Sequence, residues 1–171
     1  MKGVVFEAVA ERYADRIYAI ALNYFKNPYD ADDIVQEVLL KLYRSDTKFE
    51  SEAHLKHWLL RVAVNQCKKI SLSAWRRRNI SLEGYLAGLQ TAPGAEYAND
   101  AAQAAEEAER RNEILRAILK LPKKYRLIIH LYYYEDYDTK EIAGILRMNE
   151  ATVRTRLVRG RKILKEVFSD V

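Results

Sequence analysis

Residues 139–157 read TKEIAGILRMNEATVRTRL, and no other stretch says as much about how the chain folds. Asp138 and Glu141 have the spacing of a capping box, in which two side chains satisfy N–H groups at the start of a helix. A short helix is therefore predicted over 139–146, and a longer one over 151–167. The apolar residues that can form a small core between these helices are Ile142, Ala143, Leu146, Val153 and Leu157.

Two such helices joined by a tight connection, here Arg147-Met148-Asn149, form a helix-turn-helix motif. In this motif the N-terminal residues of the second helix reach base edges in the major groove of DNA. Arginine suits bidentate contact with guanine and with phosphate. An amphipathic helix with a solvated basic face would show the same pattern, so that alternative stays open. The candidate DNA-binding residues are Thr152, Arg154, Thr155, Arg156, Arg159, Arg161 and Lys162.

Apolar residues spaced by three and four predict three more helices near the N-terminus. Asn27-Pro28-Tyr29 interrupts the pattern after the first helix, and Asp30 is predicted to cap the second, which runs to about Arg44. Residues 45–52 are predicted to be a loop. The residues expected to face the core are Phe6, Val9, Tyr13, Ile17, Ile20 and Tyr24 in the first helix, Ile34, Val35, Val38, Leu39 and Leu42 in the second, and Leu55, Trp58, Leu59 and Val62 in the third.

The middle of the chain separates two units. Glycine and proline recur over 80–100, which predicts a flexible linker, and good helix formers follow up to Leu121. Pro122 can begin a further helix over 123–134. Period-two alternation is missing from the sequence. The prediction is an all-α fold of two small helical domains, 1–79 and 101–171, joined by the linker 80–100.

Charge follows the same division. The net charge is +5, with basic residues in excess over 1–79 and 113–171 and acidic residues in excess between them. Two basic units suggest two surfaces that face nucleic acid. The single cysteine, Cys67, permits no intramolecular disulfide. The sequence shows no secretory signal and no run long enough to span a membrane, so a cytoplasmic protein is expected.

Motifs for catalysis are missing. His54 and His57 could share a metal ion, but two further ligands are needed and Cys67 lies about three turns away, so no metal site is predicted. The sequence has no glycine-rich phosphate loop and no nucleophile elbow. No cofactor and no enzymatic activity are therefore expected.

Three motifs in order resemble one protein family. Residues 30–44, DADDIVQEVLLKLYR, resemble region 2.2 of the extracytoplasmic-function (ECF) sigma factors, and residues 57–65, HWLLRVAVN, resemble regions 2.3 to 2.4. Residues 121–127, LPKKYRL, and the helix-turn-helix resemble region 4. The resemblance implies a transcription initiation factor of bacterial RNA polymerase that opens and reads the −10 promoter element and reads the −35 element.

The resemblance also implies site residues in the N-terminal unit. The helix at 30–44 would bind the clamp helices of the polymerase β′ subunit through Asp33, Gln36, Glu37, Leu40 and Arg44. A solvated helix face would look the same from composition alone. The −10 element would be bound as single-stranded DNA, with a flipped base held near Phe49 and Asn65. Phosphate contacts are expected from Arg61, Lys68, Lys69, Arg76, Arg77 and Arg78.

Several points stay open in this interpretation. Phe49 could instead anchor its loop to the core, and Trp75 could either stack on DNA or close the core. The connection Arg147-Met148-Asn149 departs from the glycine-containing turn common in the family, although Asn tolerates left-handed geometry. Lys69 stands near a position where the family often has aspartate.

The family resemblance implies the partners. They are core polymerase, through the β′ clamp helices and the β flap, promoter DNA, and an anti-sigma factor, which can be membrane-bound and could use exposed rings among Tyr132, Tyr133 and Tyr134. The chain itself is not expected to insert into a membrane. The alternatives are an ordinary helix-turn-helix regulator and a helical scaffold that uses its basic faces on anionic lipids.

Overall fold

The computed structural model describes residues 4–72, 110, 113–114 and 116–169. Within these residues the chain is helical and contains no strand, so the prediction of an all-α fold is confirmed. None of the helices in this part of the chain is long and apolar enough to cross a membrane. The six helices with bounds inside these ranges are α1 (Val4–Phe25), α2 (Pro28–Arg44), α3 (Glu52–Leu72), α4 (Lys123–Tyr133), α5 (Thr139–Leu146) and α6 (Glu150–Ser169).

The N-terminal unit is a bundle in which α1, α2 and α3 each contact the other two. The predicted apolar stripes face its centre, because residues three and four apart share one side of a helix. Fully enclosed side chains include Ile17, Ile20, Ile34, Leu42 and Leu59. The apolar side of each helix is wider than the surface that the core covers. Some predicted core residues are therefore only partly buried against it: Val35, Leu39, Trp58 and Val62.

The start of α2 differs from the prediction. Asn27, not Asp30, is the N-cap, and its Oδ1 accepts hydrogen bonds from the N–H groups of Tyr29 and Asp30. Pro28 fits the first helical position because it has no N–H to satisfy there. Asp30 therefore lies inside the first turn, where it is buried.

In the C-terminal unit, α4 packs across α5 and α6. The capping box is confirmed, because Glu141 N donates to Asp138 Oδ1 at 2.8 Å and Asp138 N donates to Glu141 Oε2 at 2.9 Å. Four of the five predicted core residues are buried, and Ala143 is partly buried. Gly160 brings α6 close to α4, since a Cβ there would stand 3.2 Å from the Ile129 side chain.

The turn between α5 and α6 lies where it was predicted, but the residue that adopts the left-handed conformation is not Asn149. Arg147 has the left-handed conformation (φ 54°, ψ 55°), whereas Asn149 caps α6 by accepting a hydrogen bond from Ala151 N at 2.8 Å. The Met148 N–H bonds back to the Ala143 carbonyl at 3.0 Å, which closes the end of α5. The turn therefore forms without glycine.

The two units pack against each other, with α1 contacting α4 and α3 contacting α5. The predicted linker 80–100, the domain boundaries beside it, and Trp75, Arg76, Arg77 and Arg78 lie outside the described residues.

Candidate nucleic-acid interface

The N-terminal half of α6 borders an open groove of about 400 Å³. Four of the predicted residues meet there: Thr152, Thr155, Arg156 and Arg159. The other wall comes from Lys124 and Tyr125 at the start of α4. Sequence reasoning missed these two residues, although the LPKKY motif marks the start of a helix, where free N–H groups and basic side chains favour phosphate. The groove combines hydroxyl and cationic groups suited to DNA.

Arg154 is held in place on the flank of α6. Its Nη2 lies 2.7 Å from Glu150 Oε1, and the same oxygen accepts a hydrogen bond from Thr139 Oγ1 at 2.7 Å. These hydrogen bonds lower the pKa of the Glu150 carboxyl below its ordinary value. Arg154 is therefore oriented before any ligand arrives.

Arg161 lies about half a turn around α6 from the groove. Its Nε donates to the Tyr133 hydroxyl at 2.7 Å, and its guanidinium lies 5.1 Å from the Tyr132 ring centre and 5.5 Å from that of Tyr133. The structure thus separates Arg161 from the groove residues, although the sequence placed them in one group. Lys162, also in that group, is exposed.

We expect Arg161→Ala to change stability more than promoter recognition. Loss of the hydrogen bond and the cation–π contacts at this exposed site should lower the free energy of unfolding by about 1 kcal/mol. Promoter affinity, measured with polymerase present, should fall by less than about threefold, because the groove is intact. Urea unfolding and promoter titration measure the two effects. If promoter affinity fell tenfold or more and stability did not change, Arg161 would instead be a DNA-binding residue.

A second candidate surface lies along α3. His54, Trp58, Arg61, Asn65 and Lys68 follow at spacings of four, three, four and three, so they share one side of the helix. Phe49 joins the N-terminal end of this row, with its ring centre 5.5 Å from those of His54 and Trp58. Sequence reasoning assigned Trp58 to the core and missed this aromatic group, which the spacing along α3 could have revealed.

The basic residues of α3 have different surroundings. Arg61 and Lys69 are exposed, and Asn65 is partly buried. Lys68 is also partly buried, and its Nζ donates to the Leu146 carbonyl at 2.6 Å. Burial, together with the nearby Arg147, lowers the pKa of Lys68. Lys68 is thus engaged with the C-terminal unit in this conformation.

The outer face of α2 carries the predicted protein-binding residues. Gln36, Glu37, Leu40 and Arg44 are exposed, and Asp33 is partly exposed. Two rings that sequence reasoning did not include, Tyr29 and Tyr43, extend the same face at spacings of three and four and are also exposed. This side of α2 therefore combines apolar and charged groups, as protein interfaces do.

Metal and thiol chemistry find no support in the described part of the chain. No three His, Cys, Asp or Glu side chains there are grouped closely enough to bind a metal ion. Cys67 is fully buried, and this burial raises the pKa of its thiol to about 12. The thiol therefore stays protonated and unreactive at neutral pH.

Comparisons with known proteins cover both units. Residues 9–80 match the family described as Sigma-70 region 2, and residues 111–164 match Sigma-70, region 4. The chain is 30% identical to the ECF RNA polymerase sigma factor SigW of Bacillus subtilis, over 97% of this chain and 90% of that protein. It is also 30% identical to the ECF RNA polymerase sigma-E factor of Escherichia coli, over 93% of this chain and 84% of that protein.

A solved structure shares the fold. It is the sigma factor RpoE in complex with the anti-sigma factor NepR from Bartonella quintana. The TM-score is 0.62 at 18% sequence identity, and the match covers 96% of each chain.

Proposed function

The chain belongs to the ECF sigma factors of the sigma-70 family, and on this premise we propose how its two units divide the work of promoter recognition. It is a non-enzymatic RNA polymerase sigma factor, whose partners are core polymerase and promoter DNA. Residues 1–79 bind polymerase and the −10 element, residues 101–171 read the −35 element, and 80–100 connect them. The observation that carries this division is the groove of α6, which gathers Thr152, Thr155, Arg156 and Arg159 opposite Lys124.

In the proposed −35 complex, the groove follows the DNA backbone while side chains at the start of α6 reach base edges. Arg156 and Arg159 would contact guanine or phosphate, and Lys124 would contact phosphate. Arg154, already oriented by Glu150, would approach from the flank of the helix. The exposed Lys162 would add a phosphate contact further along α6. Arg161 is left out of this set because its guanidinium is engaged by Tyr132 and Tyr133.

In the proposed −10 complex, the row on α3 carries single-stranded DNA. Phe49, with Trp58 beside it, offers an aromatic face for a flipped base, and Asn65 offers an amide for its edge. Arg61, Lys68 and Lys69 would bind phosphates, and the basic residues Arg76, Arg77 and Arg78 would continue the same track. Neither unit alone should give full selectivity, because linking two weak sites raises the effective affinity of both.

Three protein contacts are proposed. The outer face of α2 would bind the β′ clamp helices, and the C-terminal unit would bind the β flap. An anti-sigma factor is a further proposed partner, by analogy with the complex formed by RpoE of Bartonella quintana. The exposed rings of Tyr133 and Tyr134 give it an aromatic surface. Because core polymerase acts in the cytoplasm of bacteria, we assign the chain to that compartment.

We expect Leu40→Asp to weaken core polymerase binding by about tenfold or more, which corresponds to roughly 1.4 kcal/mol or more. Leu40 is 46% exposed, so the change should leave the bundle folded while placing a charge in an apolar contact. Val5→Asp makes the same kind of change at an exposed residue of α1 and serves as the control. Binding of labelled variants to core polymerase measures the effect. Equal affinities for both variants would contradict the assignment of this face.

In vitro transcription tests the proposed function directly. Purified core bacterial polymerase is supplied with a library of promoter fragments, with and without the chain. Selective initiation from fragments that share −35 and −10 sequences is the expected result. Duplex DNA binding without initiation or core binding would instead indicate an ordinary helix-turn-helix regulator. Binding to anionic vesicles without promoter preference would indicate a scaffold.

A further inference from the structure

The most exposed large apolar side chain in the described part of the chain lies on α6. Val158 is 63% exposed. It follows Thr155 by three residues and Ala151 by seven, so all three share one side of the helix. Ala151 and Thr155 border the groove opposite Lys124, and Val158 continues that surface by about one helical turn. The exposed valine therefore belongs to the side of α6 that is proposed to face DNA.

The two arginines that could cover Val158 are held by other partners. Long cationic side chains often lay their alkyl stems over apolar surface, and Arg154 and Arg161 stand one turn before and one turn after Val158. Arg154 Nη2 lies 2.7 Å from Glu150 Oε1, which draws this side chain towards the start of α6 and away from Val158. Arg161 Nε donates to the Tyr133 hydroxyl at 2.7 Å, on α4. Val158 is consequently left open to solvent.

The neighbouring Thr155 has no hydroxyl hydrogen to offer a ligand. Its Oγ1 donates to the Ala151 carbonyl at 2.9 Å, which is a hydrogen bond within the helix. The side chain keeps an acceptor oxygen and a methyl group for contact with a partner. Thr155 and Val158 therefore form a patch without hydrogen-bond donors in the middle of a basic surface.

The charges around Val158 indicate what kind of partner covers it. Residues 152–165 contain six basic residues and no acidic one. Arg159 follows Val158 directly and borders the groove, and the exposed Lys162 lies one turn further along α6. Protein interfaces are depleted in lysine, whereas the major groove of DNA has phosphates along both walls and base edges at its floor. An apolar centre surrounded by cations therefore matches duplex DNA.

One feature of the major groove suits a valine. The nitrogen and oxygen atoms at the base edges are hydrogen-bond donors or acceptors, and an apolar side chain pressed against them would leave them without water and without a partner. The C5-methyl group of thymine is the exception, because it is apolar and projects into the groove. A contact between two methyl groups removes apolar surface from water on both sides.

We propose that Val158 reads the methyl group of a thymine in the −35 element and is a specificity-determining residue of this chain. The inference rests on the proposed reading of the −35 element by α6, because only in that complex does Val158 meet a base. Arg154 and Arg159 contact the DNA on either side, and Val158 packs on the thymine between them. Sequence reasoning selected the polar and basic residues of α6 and left this valine out.

The test removes the methyl group from the DNA. In a promoter that the chain recognises, each thymine of the −35 element on either strand is replaced in turn by deoxyuridine, which pairs with adenine as thymine does but lacks the methyl group. Affinity is measured by competition, with the full chain bound to core polymerase. One replacement, or two at neighbouring positions, should weaken binding about fourfold, as expected for one buried methyl group.

Val158→Ala removes the other side of the same contact. It should weaken binding to the thymine promoter about fourfold or more, and alanine is a better helix former than valine, so α6 should stay folded. Because the two methyl groups act in one contact, this variant on the deoxyuridine promoter should bind little more weakly than either change alone. An undiminished response of Val158→Ala to deoxyuridine would overturn the proposal, as would the absence of any response in the unchanged chain.

Val5→Ala is the matched control, because it makes the same change at a valine of α1 that is 59% exposed. This variant should respond to deoxyuridine as the unchanged chain does. Binding to core polymerase is measured for both variants and should not change. Weaker core binding by Val158→Ala would show that the valine contacts polymerase and would overturn the proposal.

Salt distinguishes a methyl contact from a phosphate contact. Between about 50 and 200 mM salt the total affinity should fall steeply, whereas the ratio between the thymine and deoxyuridine promoters should stay constant, because the methyl contact carries no charge. A ratio that fell with the total affinity would overturn the proposal. A scrambled −35 element separates the two possible failures. Preference for the intact element without a response to deoxyuridine would refute the role of Val158 alone, whereas no preference would refute the proposed −35 reading as well.

Discussion

Arg156→Ala combined with Arg159→Ala should reduce initiation at promoters that depend on a −35 element by roughly 100-fold. Both side chains border the groove of α6, opposite Lys124. A well-placed arginine contributes about 1–3 kcal/mol of discrimination when it reads a base, and each 1.4 kcal/mol is about tenfold in affinity. Two such losses on one recognition helix remove most of the −35 contribution. The measurement is in vitro transcription from promoters with intact and scrambled −35 sequences.

The control for this pair is Lys165→Ala, an exposed basic residue on the same helix that lies outside the groove. It should change initiation by less than about threefold, since one solvated charge contributes only a salt-dependent, sequence-independent attraction. Binding to core polymerase should be unchanged in both variants. If the arginine pair reduced activity equally on intact and scrambled promoters, its contacts would be with phosphates and not with bases.

The helix-turn-helix was predictable because its signals are local. A capping box fixes where α5 begins, and residues three and four apart fix which sides of α5 and α6 face each other. Val153 and Leu157 are buried as their spacing requires. Such features depend on atoms within about one turn of the chain, so the sequence alone contains nearly all the information.

Two caps show where local rules leave a choice. Asn27 and Asp30 are both good N-cap residues. Asn27 is the cap because Pro28, which follows it directly, fits the first position of the helix and not the turn before it. In the connection of the helix-turn-helix, Asn149 is the better left-handed residue by intrinsic preference. Arg147 takes that conformation instead, because Asn149 caps α6 and the Met148 N–H closes α5. When one residue could serve in two ways, as Asn149 could, the hydrogen bonds of the neighbouring residues decide which role it takes.

Assignments to a surface were less predictable because they depend on packing between distant segments. Arg161 and Arg159 are two residues apart on one basic helix, yet only Arg159 borders the groove. Arg161 instead donates a hydrogen bond to Tyr133 of α4, which lies 28 residues earlier in the chain. Glu135 had no special signal in the sequence, since its partners Arg16 and Lys56 come from another unit. Long-range contacts of this kind require the tertiary structure.

Phe49→Ala is expected to reduce formation of the open promoter complex by roughly 5- to 150-fold, because stacking of one base on an aromatic side chain contributes about 1–3 kcal/mol. Phe49 is partly exposed and rests edge-on against His54 and Trp58, so its ring is held in place before DNA arrives. A ring already fixed in position loses less conformational entropy on binding. Permanganate footprinting of unpaired thymines near the −10 element measures the open complex.

Phe49→Leu separates the two roles that the sequence left open. Leucine keeps an apolar contact with His54 and Trp58 but offers no planar face to a base. If Phe49 captures a base, both variants should lose open complex while −35 binding and core binding persist. Recovery of most activity by leucine, with a melting temperature restored in parallel, would show that Phe49 serves to anchor its loop. The flipped base would then have to be held elsewhere on the α3 row, with Trp58 and Asn65 as the next residues to change.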